Sequence, residues 1–149
     1  MEFVFAVAPH HPLAHAPEPL NEDELVRHRA VAVADSAQRM APITVNLLPG
    51  QDVFTVASTQ AKIEAQIRGL GCGYVPEPLA RHHIEAGRLV VKTTQRGPTV
   101  GRLGYAWRAA SGGAQPTGLA LRWWLEQLES PTTRRALLER HAGMPSGDS

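Results

Sequence analysis

Residues 58–80, STQAKIEAQIRGLGCGYVPEPLA, carry the transition from which the rest of the chain can be read. Ile63, Ile67 and Leu70 recur at i, i+4 and i+7, so one side of a helix is apolar, with Lys62, Glu64, Gln66 and Arg68 elsewhere. Gly69 and Gly71 punctuate its end, and CGYVP is too short for anything but a strand. PLARHHIEAG then forms a second helix closed by Gly87, and LVVKT returns as a strand. Helix and strand alternating this tightly is the order of an α/β fold.

Working outward, EFVFAVA at 2–8 lacks polar alternation, the pattern of a strand covered on both faces. APHHPLAHAPEP follows with four prolines and is expected as an extended loop. Asn21 caps a short helix in which Glu24 completes a box-like pair and Leu25 points inward, ending near His28. RAVAVAD at 29–35 is a second buried-type strand. ITVNLL and DVFTVA are two further short strands around the turn signal Pro49-Gly50. The resulting β–α–β–α–β succession predicts a mainly parallel sheet with helices on its faces.

The last third differs in character. After Gly97-Pro98 come a strand, RLGYAWRA, a loop, SGGAQP, and two helices over 117–129 and 131–141, the second opened by Ser130-Pro131. The final AGMPSGDS is a flexible tail.

A chain of 149 residues suits one compact α/β domain, or one small domain with an appendage. Hydrophobic content of 43%, charged content of 19% and a net charge of +1 exclude a disordered tail and a polybasic nucleic-acid binder. A lone cysteine, Cys72, can make no internal disulfide, which fits a reducing compartment, with the cytoplasm as the expected location. The apolar runs fall short of the roughly 18 residues of a membrane helix and no basic segment precedes them, so a soluble, unexported chain with no membrane partner is expected. Met1 directly before a buried-type strand reads as the start of a fragment.

Chemistry concentrates where a strand feeds a helix. Ser58, Thr59 and Gln60 stand at a helix start, where unpaired N–H groups and partial positive charge suit a small anion. Ser58 as a plain cap would satisfy the same N–H groups without any ligand. Pro9, His10 and Tyr74 are candidates for other walls of the same cleft, although His10 and His11 read better as exposed loop residues. His82 and His83 are adjacent, not i, i+4, so they point apart, and no metal site is expected. Cys72 reads as a small hydrophobe, without the access and lowered pKa of a redox sensor. Ser58 has no His–Asp relay and CGYVP is no nucleophile elbow, so neither an enzyme nor a cofactor is expected. Trp107, Trp123 and Trp124, with Leu119, Leu121, Leu125 and Leu128, form a broad apolar surface, which predicts self-association.

Taken together, FAVAPHHPLA, LNEDELVRHRAVAVAD and QIRGLGCGYVPEPLARHHIEAGRLVVK resemble, in order and spacing, the second half of the effector-binding region of LysR-type transcriptional regulators. The resemblance covers roughly residues 3–128. It implies a type 2 periplasmic-binding-protein-like α/β three-layer sandwich of two subdomains, joined by crossover strands around a ligand cleft. In that frame residues 2–100 hold subdomain II with the first crossover strand, 101–141 the return strand and the carboxy-terminal helices of subdomain I, and 142–149 a disordered tail. The resemblance further implies a small-molecule effector, self-assembly into a homodimer or larger, and DNA contact only through an amino-terminal winged helix-turn-helix that this sequence lacks. A solute-binding protein of a transport system is the second reading of the same fold.

Overall fold

The protein is described by a computed structural model over residues 1–34, 46–97, 99–101, 104 and 118–139. In chain order the elements are β1 (Glu2–Val7), a 3-10 turn (Pro12–Ala14), α1 (Glu22–Leu25), β2 (Ala30–Val33), β3 (Val53–Val56), α2 (Thr59–Ile67), β4 (Gly73–Pro76), α3 (Glu77–Glu85), β5 (Val90–Lys92), β6 (Thr99–Val100), α4 (Leu119–Glu129) and α5 (Pro131–Glu139). Two compact units divide after Gly101: Glu2–Gly101 form one, and α4 and α5 belong to the other.

In the larger unit β1 lies between β4 and β5 and runs antiparallel to both, with Val4 opposite Val75 and Ala6 opposite Val91. β6 pairs antiparallel with the start of β1. Among the described residues only β2 and β3 form a parallel ladder. The mainly parallel sheet expected from the element order is therefore corrected to a mixed one. The physical reason is the crossover through α3: it sets β4 and β5 in the same direction with a gap one strand wide, and β1 fills that gap running the other way. β1 thus has strands on both edges and packing on both faces, which is why its sequence is apolar without alternation.

Three layers follow from the side-chain alternation along β1. Phe5 and Val7 point into a core with Leu13, Leu20, Leu25, Leu48 and Cys72, beneath the 3-10 turn and α1. Ala6 points the other way, into a core with Ile63, Val75, Ala80 and Leu89 beneath α2 and α3. Burying each of the valine, leucine, isoleucine and phenylalanine side chains among them is worth about 1.5–3 kcal/mol. The two cores therefore hold the helices on opposite faces of one sheet.

Local signals explain most element ends. Asn21 Oδ1 accepts from Glu24 N at 2.8 Å, and the side-chain amide of Gln51 donates to Leu25 O at 2.9 Å and His28 O at 3.0 Å, closing the end of α1. Gly71 sits where β4 approaches β2 closely: a Cβ there would lie 2.6 Å from the Arg29 carbonyl oxygen, so no larger residue fits without displacing backbone.

Three other expectations change. The proline-rich stretch is a compact turn, not an extended loop, because Leu13 is fully buried and anchors it. Leu70 is exposed, because α2 ends at Ile67 and the chain turns before Leu70 can share the helix's apolar face. Of ITVNLL, residues 43–45 lie outside the described residues, and Asn46–Leu48 are not strand; Leu48 is buried from a turn.

In the second unit α4 and α5 pack together, and Trp123 and Trp124 meet edge to face with ring centroids 5.2 Å apart, both about half exposed. Apart from Gly104, the expected strand RLGYAWRA with Trp107, the SGGAQP loop and the 142–149 tail lie outside the described residues. Among the described residues no helix is long and apolar enough to cross a membrane.

Candidate functional site

β2 and β4 begin as parallel neighbours and then part. Cys72 N donates to Arg29 O and Val31 N to Cys72 O, both at 2.9 Å, making one bridge between Ala30 and Cys72. Among the described residues no further ladder bond joins the two strands. The carbonyl of Gly73 is satisfied instead by a side chain: Gln66 Nε2, fully buried on α2, donates to it at 3.2 Å. Buried backbone carbonyls need a donor, and Gln66 provides the one that a continuing β2 would have supplied.

A cavity of about 230 Å³ occupies the divergence, with Val31, Ala32 and Val33 of β2, Gly73 and Tyr74 of β4, and Lys62 of α2 among its walls. It sits at the carboxyl end of a parallel strand pair, where α/β sheets take ligands. Gly73 forms part of its floor with φ of 153°, a conformation that favours glycine, and a Cβ there would lie 3.4 Å from Lys62 Nζ. Lys62 and Gln66 are one helical turn apart on α2, so both side chains converge on Gly73.

The electrostatics of this corner are set by burial. Desolvation pulls the Lys62 pKa down to about 8, partly opposed by Cys72. Desolvation pushes the Cys72 thiol up to about 12, partly opposed by Lys62. At neutral pH the pair is therefore an ammonium and a neutral thiol, and Cys72 Sγ donates to Arg29 O at 3.4 Å. Among the described residues Lys62 is the one charged side chain lining the cavity, and it makes no hydrogen bond or ion pair with any of them.

A second cavity, of about 240 Å³, adjoins Phe3, Phe5, Tyr74, Lys92 and Thr94. Its cation is already committed: Lys92 Nζ donates to Ala16 O at 2.9 Å and lies 3.7 Å from Glu18. Tyr74 separates the two cavities, its hydroxyl 2.6 Å from Thr94 Oγ1 and its ring edge-on to Phe5 at 5.4 Å.

Of the six residues expected to line a cleft, Tyr74 lines this one. Ser58, one turn before Lys62, is exposed and caps α2, its Oγ accepting from Ala61 N at 3.1 Å; Thr59 is half-buried and Gln60 exposed. Pro9 and His10 are exposed after β1, and the His10 ring fills the space beside Gly69. That places His10 beyond the last turn of α2, roughly 13 Å along the helix from Ser58, so the structure does not bring the two together.

The expectation of an exposed His11 is corrected. The ring is buried, its Nδ1 accepts from Leu13 N at 3.2 Å, and it packs 5.2 Å from His28. His82 and His83 lie side by side with centroids 4.6 Å apart, and His82 Nε2 is 2.7 Å from Arg88 Nη2. Among the described residues no group of three His, Cys, Asp or Glu side chains could hold a metal ion.

Lys62 and Gln66 were not singled out by sequence reasoning. Their only signal was two polar residues at i, i+4 bordering the Ile63–Ile67 stripe, which is equally the pattern of a solvated flank.

The uncharacterized HTH-type transcriptional regulator YeeY of Escherichia coli K12 is 41% identical over 128 residues, covering 86% of this chain and 40% of that protein. The HTH-type transcriptional activator AllS of Klebsiella pneumoniae is 38% identical over 91 residues, covering 61% of this chain and 34% of that protein. The chain thus spans about two fifths or less of the length of these relatives. Among solved structures, the regulatory domain of MetR, a LysR family regulator from N. meningitidis, aligns with 64% of this chain and 47% of its own at 21% identity and a TM-score of 0.47. The family model described as the LysR substrate binding domain matches residues 1–131, nearly the whole chain, and on that match the chain belongs to the LysR substrate-binding-domain family.

Proposed function

We propose that this domain senses a small anionic metabolite and passes its occupancy to the DNA-binding part of a longer cytoplasmic regulator of transcription. No bond is made or broken; the protein is not an enzyme. The effector acts by population shift, favouring one of two arrangements to the extent that it binds that arrangement more tightly. The observation that carries this reading is the cavity at the parting of β2 and β4, inside a chain whose family is the LysR substrate-binding domain. Tyr74 stands in its wall, and Ser58, Thr59 and Gln60 stand at the first turn of the helix that carries Lys62. Pro9 and His10 serve a ligand only through movement of the segment after β1.

The relatives are transcriptional regulators, which favours sensing over solute transport. Self-association belongs to the same proposal, with the apolar side of α4 as the contact surface.

The test is a thermal-shift and calorimetric screen of small metabolites against the 149-residue chain, followed by a reporter assay with the intact regulator. Ligand bound at a hundred times its Kd stabilises the native state by about 2.7 kcal/mol, which is easily read. A compound that raises the unfolding temperature and also changes reporter output is expected. If every compound that binds leaves transcription unchanged, or none binds, the sensor reading fails.

A further inference from the structure

Lys62 is placed where a lysine is costly unless something uses it. It comes from the first turns of α2, enters the cavity beside Gly73, and has neither hydrogen-bond nor ion-pair partner among the described residues. Partly buried ammonium groups normally find a carboxylate or carbonyl, as Lys92 does 30 positions later with Ala14 O, Ala16 O and Glu18. The two lysines form an internal comparison: one is satisfied by its own chain, and the other faces an open cavity.

The rest of the lining defines the remainder of the ligand. Val31, Val33, Leu47 and Phe3 present apolar surface, Asn46 and Tyr74 add uncharged polar atoms, and among the described residues no acidic side chain is present in the wall. A cavity of about 150 Å³ holds a benzene ring, so about 230 Å³ holds a ring or branched chain of that size with a carboxylate attached. Gln66 contributes indirectly: it occupies the Gly73 carbonyl where β2 and β4 part, and its second polar atom, Oε1, is buried without a partner among the described residues.

We infer that Lys62 anchors the carboxylate of a small monocarboxylic acid whose apolar body lies between the diverging strands β2 and β4. The inference rests on the sensor reading and narrows it to one anchoring residue and one ligand class. A second carboxylate on the ligand would be buried against apolar wall with no further cation among the described lining residues to meet it, so dicarboxylates are disfavoured.

Calorimetry with the 149-residue chain separates the possibilities, using phenylacetate and 4-methylpentanoate as probes, their primary amides as neutral isosteres, and succinate as the dicarboxylate. The monocarboxylates are expected to bind better than the amides and than succinate. Lys62→Met should weaken the monocarboxylates about tenfold or more and erase their advantage over the amides, as loss of a charge-assisted bond predicts. Lys62→Arg should retain the preference for acid over amide, which a merely structural lysine would not do. An unchanged amide spectrum outside the cavity shows that each variant is folded; if Lys62→Met is not, the acid-versus-amide comparison in the wild type and in Lys62→Arg still decides. Equal binding of acids and amides by the wild type, or a Lys62→Met variant that keeps the acid preference, overturns the anchor and leaves the sensor reading standing. So does failure of both monocarboxylates when other metabolites bind. Absence of any ligand across the wider screen removes the sensor reading itself.

Discussion

Lys62 holds its charge at neutral pH although burial draws its pKa down to about 8 from an ordinary value of 10.5. Folding therefore favours the neutral amine, so the penalty for the charge is full below about pH 8 and fades as pH rises towards 10.5. Replacing Lys62 by Met is expected to stabilise the unliganded domain at pH 7 by about 1 kcal/mol, with the gain vanishing near pH 10.5. Urea unfolding across that range measures it. His11 works in a lower window. Burial first, then the His28 and His10 charges, depress its pKa below 6.5, and its Nδ1 is needed as an acceptor for Leu13 N. Its contribution is present above pH 6.5 and is lost as pH falls through the depressed folded value. The wild type should lose stability between pH 7 and 5 more steeply than His11→Asn, which keeps an acceptor but cannot be protonated. His83, also depressed by burial, Arg88 and His82, supplies a residual slope in both proteins.

At the scale of the element, α2 carries two different kinds of polar residue. Ser58 is committed to the backbone of its own helix, so Ser58→Ala should cost about 1 kcal/mol of stability by chemical denaturation. Titrating the same variant with a bound effector separates the two roles read from the sequence: unchanged affinity assigns Ser58 to the helix cap alone. Lys62 and Gln66, one and two turns further on, are committed to the sheet and its cavity. The helix starts and stops were legible because caps are short-range chemistry: Asn21 with Glu24, Ser58 with Ala61, Gly87 after α3. Strand direction was not. The partners of β1 lie some 70 and 85 residues away, and nothing within EFVFAVA distinguishes a parallel neighbour from an antiparallel one.

For the whole molecule, the tryptophans of α4 bear on assembly. Trp123 and Trp124 are 53% and 54% exposed and Leu119 is 85% exposed, an apolar side that water disfavours. Sedimentation velocity across the micromolar range is expected to show self-association of the 149-residue chain, lost in a Trp123→Ala, Trp124→Ala double variant. A monomer at all concentrations, with freely quenched tryptophan emission, would remove this part of the proposal. On the proposed reading the effector cavity is built from the larger unit and the self-contact from α4, so the double variant is expected to keep its ligand affinity.

The amino-acid order alone determined the α/β alternation, the helix caps, the buried character of β1 and the family likeness, since each depends on neighbours within a few turns or strands of one another. Only the tertiary structure decided that β1 runs against β4 and β5, that His11 is inside, and that β2 and β4 part after a single bridge to open a cavity onto Lys62. The reason is physical: whether a lysine or glutamine is solvated or buried depends on backbone brought to it from elsewhere in the chain. Here that backbone is β4 at Gly73 and β2 at Val31, and no periodicity within α2 reports their approach.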